Sequence, residues 1–182
     1  MIEIRIHGRG GQGAVIASKV LAMAVFHEGK FVQSFPSFGV ERRGAPVTAF
    51  TRIDDRPICL RCQIYRPDHL IILDPTLLQT VDVTAGLKPG GWVVINSARP
   101  PTSFALPAHC RVATVDAGAI AIRHRLGLAS APIVNTAILG AFSRATGLVS
   151  LEALCAAVRE VIPVKQDANI AATQEAYRET QT

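Results

Sequence analysis

Residues 8 to 13 read Gly-Arg-Gly-Gly-Gln-Gly, a G-x-G-x-x-G spacing that follows an alternating apolar stretch. Glycines so placed permit positive φ, let backbone amides approach a ligand, and let the next helix pack close to the strand. A helix starting after Gly13 adds unpaired N–H groups and the positive end of a macrodipole. The chemistry available at Gly8, Arg9, Gly10, Gly11, Gln12 and Gly13 is therefore anion binding. A dinucleotide demands more, namely a carboxylate at the end of the second strand to hold the ribose hydroxyls. Here that strand ends Gln33-Ser34-Phe35-Pro36, and Glu28 lies before it. The phosphate-loop spacing G-x-x-x-x-G-K-[ST] is absent as well.

A second loop carries chemistry of another kind. Residues 37 to 46 read Ser-Phe-Gly-Val-Glu-Arg-Arg-Gly-Ala-Pro, with Glu41, Arg42 and Arg43 set between Gly39 and Gly44. Arginine suits bidentate contact with phosphate or carboxylate. Taken alone, such a loop reads first as a solvated turn with one weak ion pair. His7, at the end of the first strand, reads as a hydrogen-bonded structural histidine, and no general acid or base is assigned. Cys59 and Cys62 form a C-x-x-C pair, but Cys110 and Cys155 stand alone. A structural zinc site wants two close pairs and a four-iron cluster wants four thiolates, so no metal site is expected.

The elements that must position these loops are legible from periodicity. Ile2, Ile4 and Ile6 alternate with Glu3, Arg5 and His7, as in a strand. The run from Gln12 to Gly29 has no interior breaker and reads as a helix with a glycine stop. Residues 31–35 read as a second strand, so the opening is expected to be a βαβ unit with a parallel pair. Further strands are expected at 47–53, 69–73, 92–96 and 111–115, with a short antiparallel piece at 57–60 and a short helix after Asp74-Pro75. Helices are expected over 116–127, capped by Asp116, over 135–147, over 150–162, capped by Ser150, and near the C-terminus. This order predicts an α/β fold: a three-layer α/β/α sandwich with a Rossmann-like, mostly parallel sheet, an antiparallel edge and a helical C-terminal third. Both distinctive loops follow strands, so they are expected along one edge, where ligands of such sheets collect.

Composition narrows the function classes. Residues 1–182 suit one domain with a substantial core. Hydrophobic residues make up 49% and charged residues 18%, which leaves apolar surface for other chains to cover. The net charge of +5 comes without basic blocks interleaved with aromatics, and aromatics are 5%, so nucleic acid is not an expected partner. No run approaches the roughly 20 apolar residues of a membrane helix, and the start lacks a signal-peptide plan. The expected location is the cytoplasm, with no membrane partner.

Three stretches taken in order, His-Gly-Arg-Gly-Gly-Gln-Gly (7–13), Ser-Phe-Gly-Val-Glu-Arg-Arg-Gly-Ala-Pro (37–46) and Pro-Ile-Val-Asn-Thr-Ala-Ile-Leu-Gly-Ala-Phe (132–142), resemble one family closely. It is the γ subunit of the pyruvate and 2-ketoisovalerate:ferredoxin oxidoreductases, within the 2-oxoacid:acceptor oxidoreductases. The resemblance runs over about residues 1–175.

The resemblance implies a complex that converts a 2-oxoacid and coenzyme A to acyl-CoA and carbon dioxide, passing electrons to ferredoxin or another acceptor. Thiamine diphosphate, magnesium and 4Fe–4S clusters carry that chemistry, and the γ chain alone binds none of them. The implied partners are α and β thiamine-binding subunits and a ferredoxin-like δ subunit. It also implies that the γ chain helps enclose coenzyme A. On that reading Gly8 to Gly13 shape the first loop, and Phe38, Gly39, Glu41, Arg42, Arg43 and Gly44 form the second. Asn135 and Thr136 open a helix on the same edge. Two other readings stay open at this point: a freestanding NAD- or FAD-binding oxidoreductase, and a non-catalytic assembly protein.

Overall fold

The computed structural model describes residues 1–37 and 44–182. Six strands form the main sheet: β1 (Ile2–Arg9), β2 (Phe31–Pro36), β3 (Pro46–Asp54), β4 (His69–Ile72), β5 (Trp92–Asn96) and β6 (Arg111–Val115). Their order is β2-β3-β1-β4-β5-β6. β1, β4, β5 and β6 run parallel, and β3 pairs antiparallel with both β1 and β2. A mostly parallel sheet with an antiparallel edge is thus observed. The opening βαβ unit, however, holds no parallel pair. β1 and β2 point the same way, but β3 lies between them, with Arg9 opposite Pro46 and Ile2 opposite Ile53.

Side-chain alternation divides the sheet into two faces. On one face Ile4, Ile6, Ala49, Ile53, Ile71, Leu73, Val94 and Ala113 meet the helices in a single apolar core. α1 (Ala14–His27) lies over β1, β2 and β3, and α4 (Ala137–Thr146) over β5 and β6. α5 (Leu151–Val161) packs on α1, and α6 (Gln166–Glu179) packs on α4. Ser150 caps α5, its side chain accepting from Ala153 N. Asp116 caps α3 (Ala117–Arg123) by accepting from Ala119 N. That helix stops earlier than the expected Gly127, because the chain reverses at Arg125, which has a positive φ. A two-residue hairpin, β7 (Gly127–Leu128) with β8 (Ala131–Pro132), follows.

The opposite face is covered by short elements. Leu70, Ile72, Val93 and Ile95 pack against Leu77 of α2 (Leu77–Thr80), Val83 and Leu87. Over β1 and β3 the same face is polar. Arg52 is wholly buried; its Nε donates to Glu3 Oε1 at 3.0 Å, Nη1 to Gln33 Oε1 at 2.9 Å and Nη2 to the Cys62 carbonyl at 2.8 Å. The Phe35 ring lies under the guanidinium. This arrangement explains why residues 57–60 form no strand. After the turn at 54–57 the segment crosses this face, giving the Cys62 carbonyl to Arg52 and the Leu60 carbonyl to Gln33 Nε2.

Removing one partner of such a pair leaves a buried charge uncompensated. Arg52→Ala is expected to cost about 3–5 kcal/mol of unfolding free energy, and the double change Arg52→Met with Glu3→Leu much less. Urea unfolding checks this; a loss below about 1 kcal/mol for Arg52→Ala would place Arg52 among weak surface pairs.

Candidate functional site at the carboxyl edge of the sheet

The glycine loop leaves β1 at the carboxyl edge of the parallel strands, where β4 and β5 also end. It turns tightly, with Gln12 N donating to the Arg9 carbonyl at 3.0 Å. Gly13 then caps α1 with φ 81° and no side-chain hydrogen bond, and no acid lies in the first turn. The first amides of α1 are left for an anion rather than for a capping side chain. A Cβ on Gly13 would come within 2.5 Å of Asn135 Nδ2, so glycine is required both by φ and by the close approach of Asn135.

The second loop returns to the same edge. Gly10 N donates to the Ala45 carbonyl at 2.9 Å and Gly44 N to the Gly10 carbonyl at 3.0 Å. Gly44 is therefore placed beside the glycine loop, as expected. Phe38, Gly39, Glu41, Arg42 and Arg43 lie outside the described residues.

Beneath the loop is a hollow of about 260 Å³. Gly10, Gly11 and Gln12 line one side, Leu73 and Asn96 the floor, and Ser130, Ala131 and Pro132 of the β7–β8 hairpin the other. Larger hollows exist, one of about 460 Å³ beside Glu28, one of about 430 Å³ along α1 and one of about 300 Å³ between Ile16, Asn135 and Lys165. None of the three is lined by the glycine loop. Among the described residues the lining of the glycine-loop hollow carries no ionisable side chain, so they offer polar contacts but no acid, base or nucleophilic thiol.

Two expected ligands have other tasks. Arg9 points away from the hollow to Asp74: Nε donates to Asp74 Oδ2 at 2.8 Å, Nη2 to Thr76 Oγ1 at 2.9 Å and Nη1 to the Gly44 carbonyl at 3.2 Å. Its charge is already paired. Thr136 is fully buried and turned into the helical layer, its hydroxyl on Asn169 Oδ1 at 2.7 Å. α4 begins only at Ala137, after both residues of the expected helix start. Asn135 does reach the site, against Gly13. The structure adds Asp74, Thr76 and Asn96. Their only signal in the sequence was position, just beyond or at the carboxyl ends of apolar strands.

His7 is buried beside the loop and accepts a hydrogen bond at Nε2 from Arg5 Nε at 3.0 Å. Burial, reinforced by the Arg5 guanidinium, lowers its pKa from 6.5 to about 3, so it is neutral in the folded chain at physiological pH. Asp74 is held below the usual carboxylate range: burial opposes this, but hydrogen bonds from Thr76 and Arg9 outweigh it. Among the described residues no three or more His, Cys, Asp or Glu side chains converge as a metal site. Cys59 and Cys62 are exposed, while Cys110 packs beside the small core and Cys155 beside the large one. These thiols do not fit an iron–sulfur cluster.

A family model described as pyruvate ferredoxin/flavodoxin oxidoreductase matches residues 3–179. The chain belongs to this family. It is 55% identical to the pyruvate/ketoisovalerate oxidoreductases common subunit gamma of Thermococcus kodakarensis, over 99% of this chain and 97% of that one. It is 52% identical to the pyruvate synthase subunit PorC of Methanocaldococcus jannaschii, over 98% and 97% of the two chains. The crystal structure of the pyruvate oxidoreductase subunit PORC of Thermotoga maritima superposes with a TM-score of 0.83 at 35% identity, covering 99% of this chain and 97% of that one. The family is thus shared over the whole length, and the α/β architecture with it.

Gly13→Ala is expected to lower stability by about 2 kcal/mol or more, combining a left-handed φ with displacement of Asn135. Thermal unfolding measures it, and Asn135→Ala in the same chain should restore part of the loss. His7 sets a pH dependence. The unfolded chain takes up its proton below pH 6.5 and the folded chain only near 3. Stability therefore falls as pH drops through that window, by up to about 1.4 kcal/mol per unit. Urea unfolding between pH 6.5 and 5, above the carboxylate range, should show this slope in the parent chain and a smaller one in His7→Gln, where His69, its pKa also lowered by burial, still contributes.

Proposed function

We propose that the chain is the γ subunit of a multisubunit 2-oxoacid:ferredoxin oxidoreductase and that it helps enclose coenzyme A at the glycine-loop edge. The observation that carries the subunit reading is the full-length identity to a common subunit gamma and to PorC chains. The site supports it from the chemical side. Among the described residues the hollow is lined by polar and apolar groups with no acid, base or nucleophile, as suits a chain that positions a reactant for chemistry done elsewhere. Its uncapped α1 start favours the phosphate groups of coenzyme A.

Thiamine diphosphate with magnesium would supply the decarboxylation and iron–sulfur clusters the electron path. Both are assigned to α, β and δ partner chains; among the described residues no three or more His, Cys, Asp or Glu side chains converge as a metal site would need. The groove along α1, lined by Ala22, Met23, Phe26, Val32 and Val161, supports burial against a partner. Glu41, Arg42 and Arg43 are assigned to the coenzyme A and partner side of the edge on sequence grounds. The chain acts as one domain over residues 1–182, supported by a core that joins β1 to α6. Its location is assigned to the cytoplasm; no described helix is long and apolar enough to cross a membrane.

Purified alone, the chain is expected to show no thiamine-dependent decarboxylation of pyruvate or 2-ketoisovalerate. Co-expression with thiamine-binding and cluster-bearing chains should yield coenzyme A-dependent reduction of ferredoxin. Turnover of a 2-oxoacid by the lone chain would overturn the subunit assignment.

A further inference from the structure

The carboxylate of Asp74 stands where three otherwise separate pieces of the carboxyl edge meet. Oδ2 accepts from Arg9 Nε at 2.8 Å and faces Gln12 Nε2 at 3.4 Å. Oδ1 accepts from Thr76 N at 2.9 Å and from Thr76 Oγ1 at 2.6 Å. Thr76 Oγ1 in turn accepts from Arg9 Nη2, and Gln12 Oε1 accepts from Arg9 N at 2.8 Å. Arg9 and Gln12, the two side chains inside the glycine loop that could swing, are thereby tied at both ends. Through Arg9 Nη1 the same cluster reaches the Gly44 carbonyl.

The pair is also shielded, with the Asp74 side chain 15% exposed and that of Arg9 28% exposed. A charge-assisted contact of this kind, with further hydrogen bonds on both carboxylate oxygens, fixes geometry far better than an exposed ion pair. Gln12 lines the hollow together with Gly10 and Gly11, so whatever holds Gln12 sets the shape of the hollow.

The geometry points to Asp74 as the positioning residue of the glycine-loop site. It is not among the residues that line the hollow. It acts through Arg9 and Gln12, holding the loop amides in register with the Gly44–Ala45 strand entry. Arg9 is then a clasp residue rather than an anion ligand, its guanidinium held by Asp74, Thr76 and the Gly44 carbonyl. The functional side of this assignment rests on the coenzyme A reading above.

Two measurements on Asp74→Asn, Asp74→Ala and Arg9→Ala separate the assignment from that reading. The first is amide hydrogen exchange on the full chain. Gly10, Gln12 and Gly44 N–H groups are expected to exchange at least about tenfold faster in Asp74→Ala, while amides of the β1–β4 ladder keep their protection. The second is steady-state kinetics of the reconstituted complex. Asp74→Ala is expected to raise KM for coenzyme A about tenfold while lowering kcat far less, with Asp74→Asn intermediate because it retains one acceptor oxygen. The double variant Arg9→Ala/Asp74→Ala should be little worse than either single one. Unchanged exchange at the three loop amides overturns the assignment, as does loss of protection across β1 and β4, which would make Asp74 a general stability residue. Faster exchange with an unchanged KM supports Asp74 as the loop's positioning residue and overturns coenzyme A as the loop's ligand.

Discussion

β1 is bonded on both sides, antiparallel to β3 over its whole length and parallel to β4 over four residues, and everything functional hangs from its end. A strand so placed cannot slip, because a shift of one residue would exchange Ile4 and Ile6 with Arg5 and His7 across the two faces. The isoleucines meet α1, and the polar pair meets a face built to receive it: Arg5 donates to His7 and to the Val83 and Ala85 carbonyls. That fixed register delivers Gly8 to the edge, where a Cβ would come within 3.0 Å of Leu73, the residue after β4.

The antiparallel insertion of β3 has a functional consequence. β1 and β2 point the same way, so both end at the carboxyl edge. With β3 between them and antiparallel to both, the chain enters β3 at that edge, with Pro46 opposite Arg9. Gly44 N then donates to the Gly10 carbonyl, and Gly10 N to the Ala45 carbonyl, around that entry. Two stretches of the sequence more than thirty residues apart become one site by strand order alone, and the glycine turn is kept while its dinucleotide partner is absent.

The buried charges do different work on the two sides of β1. Arg52 and Arg5 pin irregular segments, 57–63 and 81–87, across a face with no long helix to cover it. Arg9, at the edge, is neutralised by Asp74 and holds loops together. None of the three guanidinium groups is left to meet an anion. Among the described residues no charged side chain lines the hollow, in keeping with the proposed role of placing a reactant instead of transforming it.

Local signals were sufficient for most elements. The isoleucine alternation of β1, the breaker-free run of α1, the buried strands at 69–72, 92–96 and 111–115, and the Asp116 and Ser150 caps each depend on neighbours within a few residues, and each is read correctly from the chain. The motif order was likewise enough for the family. What the chain alone could not decide was pairing and partnership, since both are set by contacts between distant residues. β3 takes the place beside β1 because its alternating Ala49, Thr51 and Ile53 side chains face α1, while Phe50 and Arg52 face the opposite surface. The segment 57–60 gives up strand pairing because a buried guanidinium needs its following carbonyls. Thr136 turns into the helical layer because Asn169 lies there to accept it, and Arg9 turns from the hollow because Asp74, sixty-five residues on, is charged and within reach. Sequence determined the elements and the family; tertiary structure decided which of the polar side chains remain free to meet a ligand, because each buried donor or charge must first satisfy a partner that only the fold brings near.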